Sequence, residues 1–185
     1  MHRRNIFAIS IAVAMVLLPA AGPAQQRQPA PAQPQAQRPI KDMLVGAWTL
    51  VLDDGVTADN IQEPRLGPNP IGLLIYTPNG RFSAQIMRTV NRPPFKSNDR
   101  DTGTADENKA AVQGTLSIFG TYTVDEGSKS IDLKVEGSSF PNFEGTRQKF
   151  LVTEITDETH TAEIPISPTP NAGPVKIQLI WRKVK

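Results

Sequence analysis

Ile71-Gly-Leu-Leu-Ile-Tyr-Thr-Pro-Asn-Gly-Arg-Phe-Ser-Ala-Gln-Ile-Met-Arg88 holds two β-rich runs around Thr77-Pro78-Asn79-Gly80. Pro78 presets φ at the second position of a tight turn, and Gly80 supplies the positive φ at which the chain re-enters the sheet. The stretch therefore reads as a β-hairpin, Leu73–Thr77 up and Arg81–Arg88 back. The two prolines of Asn91-Arg92-Pro93-Pro94-Phe95 remove two ladder donors and end the second strand in a stiff loop.

The flanking chain supplies more short strands. Gly46–Leu52 alternates, with Trp48, Leu50 and Leu52 on one face, and Asp53-Asp54-Gly55 reads as the turn that ends it. Residues 56–70 are polar and punctuated by Pro and Gly, as in a long loop. Further strands are expected at Leu116–Val124, Ile131–Val135, Arg147–Ile155, His160–Ile166 and Val175–Lys183, with Gly120 marking a bend or bulge. Between the hairpin and these strands, Thr104-Ala105-Asp106-Glu107 has the form of a capping box, so one short helix is expected over Ala105–Gln113. Asp42–Val45 is helix-permissive. The sum is all-β: an eight-stranded antiparallel up-and-down barrel, or a sandwich, with one short helix. Eight strands enclose room for about one small ligand.

Not all 185 residues belong to that barrel. Arg3 and Arg4, the apolar run Ile6–Leu18 and the small residues before Gln25 read as a signal peptide, residues 1–24. Residues 25–40 read as a Gln/Pro/Ala-rich linker and 41–185 as the barrel domain. Of the 20 basic residues, Arg3, Arg4, Arg27 and Arg38 precede Ile40, so the domain sets sixteen cations against all 18 acids. No basic stripe for nucleic acid and no cationic amphipathic helix is present in the sequence. The chain has no cysteine, which excludes disulfides, thiolate metal sites and a cysteine nucleophile. Together with the leader this points to a periplasmic or secreted bacterial protein without stable membrane insertion after cleavage.

Four stretches resemble the bacterial and fungal lipocalin-like domain family: Leu44-Val-Gly-Ala-Trp-Thr-Leu50, Gly72–Arg88, Phe119-Gly-Thr-Tyr-Thr-Val124 and Glu136-Gly-Ser-Ser-Phe-Pro-Asn142. The resemblance spans Met43–Val184 and implies a lipocalin-type barrel with a cup for a small hydrophobic molecule. It also implies structural roles: Trp48 at the closed end, with Arg182 packed over it by a cation–π contact. The disulfide that secreted lipocalins often carry is absent.

The sequence offers Tyr76, Gln85, Met87, Arg88, Phe119 and Phe140 as ligand-binding candidates. Gln85 and Met87 line the cup if the Ser83/Gln85/Met87 face points inward; if Phe82, Ala84 and Ile86 do, the cup is more apolar. Arg88 is suited to an acidic head group, and Phe140 and Phe143 to a lid. Glu136 and Tyr122, with Gln85, are the candidates for chemistry if the barrel is an isomerase or cyclase. A third reading is a filled structural barrel of the envelope. His160, beside Glu158, Thr159 and Thr161, reads as a strand-end residue; no Gly-x-Ser-x-Gly elbow accompanies it. No metal site and no cofactor motif is found, and Asp53, Asp54, Asp59, Asp99 and Asp101 lack the ligand spacing of a Ca²⁺ loop.

Overall fold

The computed structural model describes residues 38–166 and 173–185. The segments read as signal peptide and, up to residue 37, as linker lie outside the described residues, as do residues 167–172 of the Pro-rich loop. Nine strands and two helices follow in the order α1 (Ile40–Leu44), β1 (Gly46–Val56), β2 (Gln62–Pro64), β3 (Ile71–Tyr76), β4 (Arg81–Met87), α2 (Ala105–Gln113), β5 (Thr115–Asp125), β6 (Ser130–Ser138), β7 (Arg147–Ile155), β8 (Thr159–Pro165) and β9 (Lys176–Lys183). Each strand from β3 to β9 pairs antiparallel with the next, and β1 pairs with both β3 and β9. This closes an eight-stranded barrel. The ninth strand, β2, lies within the stretch expected to be loop and only extends the edge of β1, opposite Asp54–Val56.

The β3–β4 hairpin forms as the sequence predicts. Thr77 N–H donates to Arg81 O at 2.9 Å, Gly80 N–H donates to Thr77 O at 3.1 Å, and Gly80 sits at φ +81°. The helix α2 has both halves of the capping box, Thr104 Oγ1 accepting from Glu107 N–H and the Glu107 carboxylate accepting from Thr104 N–H. Such a cap is worth about 1 kcal/mol, which matters for a helix that buries none of its own residues.

The first strand departs from expectation. Asp53-Asp54-Gly55 is not a turn, because β1 continues to Val56 along β9. The register with β9 moves from Leu50 opposite Trp181 to Leu52 opposite Ile180, so Val51 is an extra, bulged residue. The bulge reverses the alternation: Trp48 and Leu50 point inward before it, Asp53 and Gly55 after it, and Leu52 loses the inner face. A carboxylate thereby enters the barrel wall, where Asp53 is 1% exposed. A second bulge places the extra residue Glu136 of β6 opposite Gly120, which the sequence marked. A Cβ on Gly120 would stand 2.0 Å from Lys134 O, so only glycine fits.

One end of the barrel carries the tight turns and the other the long connections. At the tight end α1, which overlaps the helix-permissive stretch Asp42–Val45, acts as a floor. Its Ile40 and Leu44 are buried. Five residues do not hold a helix alone, and both termini are fixed by the barrel. Glu126 accepts from the amides of Ile40 and Lys41 at 2.9 and 3.1 Å. At the other terminus Trp48 Nε1–H donates to Leu44 O at 2.7 Å. Lys183 Nζ donates to Met43 O at 2.9 Å and to Val45 O at 2.6 Å. These are the orphan donors and acceptors that every helix end must satisfy. Trp48 is fully buried at this closed end, but the cation over its ring is Lys183, at 4.3 Å, not Arg182. Strand alternation is the reason: Trp181 points inward, so Lys183 shares its face while Arg182 is exposed.

Candidate functional site

The hairpin phase decides what the barrel holds. Phe82, Ala84 and Ile86 of β4 are buried inside, and their register partners Leu74 and Tyr76 on β3 and Ile118 on β5 point the same way. Around the ring they are joined by Leu116 of β5, Leu133 of β6, Phe150 of β7, Ile164 of β8 and Ile177, Leu179 and Trp181 of β9. These side chains do not fill the barrel. They wall a cup of about 580 Å³, within the range of small-molecule sites. The floor of α1 and Trp48 seals one end; Phe143, Asn142 and Thr146 of the β6–β7 connection stand at the other with Arg65.

Few polar groups interrupt the apolar wall. Gln148, Thr146 and Asn142 belong to β7 and the loop before it. His160 lies deeper, 1% exposed, with Trp48 at 5.7 Å and Tyr76 at 6.3 Å in edge-on contact. Among the described residues its Nδ1 has no hydrogen-bond partner. Burial, above all, pushes the imidazole down to about 4, so it is neutral at pH 7; the Lys183 charge adds to this and the Glu154 main chain opposes it. Among the described residues Arg65 is the one charged residue of the lining. Its Nη1 donates to Asp53 Oδ1 at 2.8 Å, and Asp53 Oδ2 is buried without a partner among the described residues. Desolvation raises the Asp53 carboxyl above its ordinary value, against the opposing pull of Arg65.

The structure separates the residues selected from the sequence. Tyr76 lies in the cup wall; burial raises its phenol, so it is an un-ionised side chain. Gln85 and Met87 lie on the outer face of β4, beside Leu73 and Ile71, and Gln85 donates to Ser83 Oγ at 2.7 Å. Phe119 is also outside, 48% exposed, with its ring over Gly137. Arg88 lies past the end of β4, its amide donating to Gly114 O at 2.8 Å. For Gln85, Met87 and Phe119 the cause is the two-residue period, since the inward set is Phe82/Ala84/Ile86 and Ile118/Gly120/Tyr122, whereas Arg88 shares the inward phase and falls outside because β4 ends at Met87. Phe140 is 48% exposed and packs edge-on at 5.0 Å against Phe143, which reaches the cup.

Glu136, Tyr122 and Gln85 do not converge. Glu136 is exposed and paired with Arg81 Nη1 at 2.8 Å. Tyr122 is buried near the floor, its hydroxyl donating to Thr77 O at 2.9 Å and its ring 4.8 Å from that of Tyr76. Among the described residues no group of three His, Asp or Glu side chains is placed to hold a metal, and no helix is long and apolar enough to cross a membrane.

The sequence reading missed Arg65, Asp53 and the inward position of His160. For His160 the signal was present in the alternation His160/Ala162/Ile164. For Asp53 it was not, because the Val51 bulge is invisible to a strict period of two.

A family model described as a lipocalin-like domain matches residues 45–184. Two solved structures are similar to the chain at low identity. A lipocalin-like protein from Bacteroides uniformis is 15% identical, covers 77% of this chain and 99% of its own, and superposes with a TM-score of 0.41. A redesigned β-barrel is 10% identical, covers 82% of this chain and 100% of its own, and also has a TM-score of 0.41. No curated protein matches the chain.

Proposed function

Since the chain belongs to the lipocalin-like domain family, we propose that it is an exported protein that binds one small hydrophobic molecule in its barrel cup, as a carrier or scavenger. The observation that carries this reading is the apolar cup of about 580 Å³, floored at one end and ringed by long loops at the other. An apolar solute transferred into such a space leaves water at a gain of about 25 cal/mol per Å² of its surface. The side chains considered for catalysis lie apart, whereas the residues that line the cup are of the kind that hold a ligand by shape. The leader-like start of the sequence, with Arg3 and Arg4 ahead of Ile6–Leu18, and the lack of cysteine support placement in a bacterial periplasm or the medium.

The test is a titration with an uncharged naphthylamine dye whose emission rises in apolar surroundings. Saturable one-to-one binding is expected. Ala84→Phe, which pushes a ring into the cup from β4, lowers the affinity by about tenfold or more. Absence of saturable binding, or a folded Ala84→Phe protein with unchanged affinity, overturns the reading.

A further inference from the structure

We propose that the cup selects an amphiphile with a carboxylate head, its apolar chain lying along the wall and its head held by Arg65 at the mouth. This rests on the cup being a small-molecule site and adds the chemistry of the ligand. Among the described residues Arg65 carries the only formal charge in the lining, and its side chain is 36% exposed, within reach of an entering molecule. Its guanidinium is held in place from behind. Nη1 donates to the buried Asp53, and Arg65 N–H donates to Asp53 O at 3.2 Å.

The pair uses one carboxylate oxygen and one guanidinium nitrogen. The remaining N–H groups have no partner among the described residues, and a planar fork of this kind matches a second carboxylate with two parallel hydrogen bonds. Asp53 is not the contact itself: its free oxygen is sealed from water, which makes it a positioning residue. Its negative charge repels an incoming acid, but across the guanidinium. Coulomb energy falls as the inverse distance, so contact with Arg65 at about 4 Å outweighs repulsion from Asp53 at about 7 Å by nearly a factor of two. The other polar lining residues at the mouth, Asn142, Thr146 and Gln148, are uncharged donors that tolerate the anion.

Competition against the naphthylamine dye with dodecanoate, dodecanol and methyl dodecanoate tests this below their aggregation thresholds. The three share a chain and differ in the head. Dodecanoate is expected to compete about tenfold more strongly than the alcohol or ester. Arg65→Met removes the difference while the alcohol still binds, and Arg65→Lys, which keeps the charge and loses the fork, restores only part of it. Equal competition by acid and alcohol on the native chain overturns the carboxylate assignment and leaves the cup reading standing; that comparison needs no variant. Failure of all three, and of the dye, overturns both.

Discussion

His160 gives a prediction that can be worked through in numbers. The imidazole is 1% exposed between Trp48 and Tyr76, and burial lowers it to about 4 from an ordinary 6.5. The folded chain therefore holds His160 neutral where the unfolded chain protonates it. Its contribution to stability is complete above about pH 6.5 and is lost as pH falls toward 4. Integrated across that window the loss is roughly 3 kcal/mol, of which about 2 kcal/mol has gone by pH 5. His160→Phe fills the same slot with a ring that cannot titrate and removes the unpartnered Nδ1. Urea unfolding at about pH 8 and pH 5, followed by tryptophan fluorescence, gives the stability of both proteins. Other groups titrate too, and Asp53, whose carboxyl is raised, acts in the opposite sense. The comparison is thus the difference between the two pH losses. The native chain should lose about 2 kcal/mol more than His160→Phe between those pH values. Equal losses would refute the argument, because His160 would then be hydrated or paired in the fold.

Three more outcomes follow from the floor, the bulge and the cup wall. Lys183→Met removes two charge-assisted hydrogen bonds to α1 and the cation over Trp48, and is expected to cost about 2–3 kcal/mol in urea unfolding. Arg182→Ala is expected within about 0.5 kcal/mol of the native chain, and a larger loss there than at Lys183 would reverse the assignment. Gly120→Ala places a Cβ 2.0 Å from Lys134 O and should cost at least about 3 kcal/mol or prevent folding, read from thermal melts; a melt within a few degrees of native would contradict the bulge geometry. In dye titrations Gln85→Ala and Met87→Ala should change affinity by less than about twofold, while Phe143→Ala, at the mouth, weakens it several-fold.

Local rules made most of the fold legible. The Thr77–Gly80 turn and the capping box at Thr104 each rest on chemistry within a few residues, and each stands where the sequence places it. The barrel follows from strand number and from alternation. The site was less legible, for two physical reasons. Strand alternation fixes that Phe82 and Gln85 face opposite sides but not which side is inner, and closure of β1 on β9 settles it. A bulge breaks the count: Val51 turns Asp53 from an expected turn residue into a buried carboxylate and so creates the setting of Arg65. The floor depends on Glu126 meeting Ile40, residues far apart in the chain, which no short-range pattern announces.

Native mass spectrometry of the chain, purified gently from its own host, shows whether the cup holds a small molecule. A one-to-one adduct is expected, one that organic extraction releases as a single class of small apolar molecule and that Ala84→Phe no longer carries. A bare mass from the host, together with no adduct after exposure to fatty acids and isoprenoids, would contradict it.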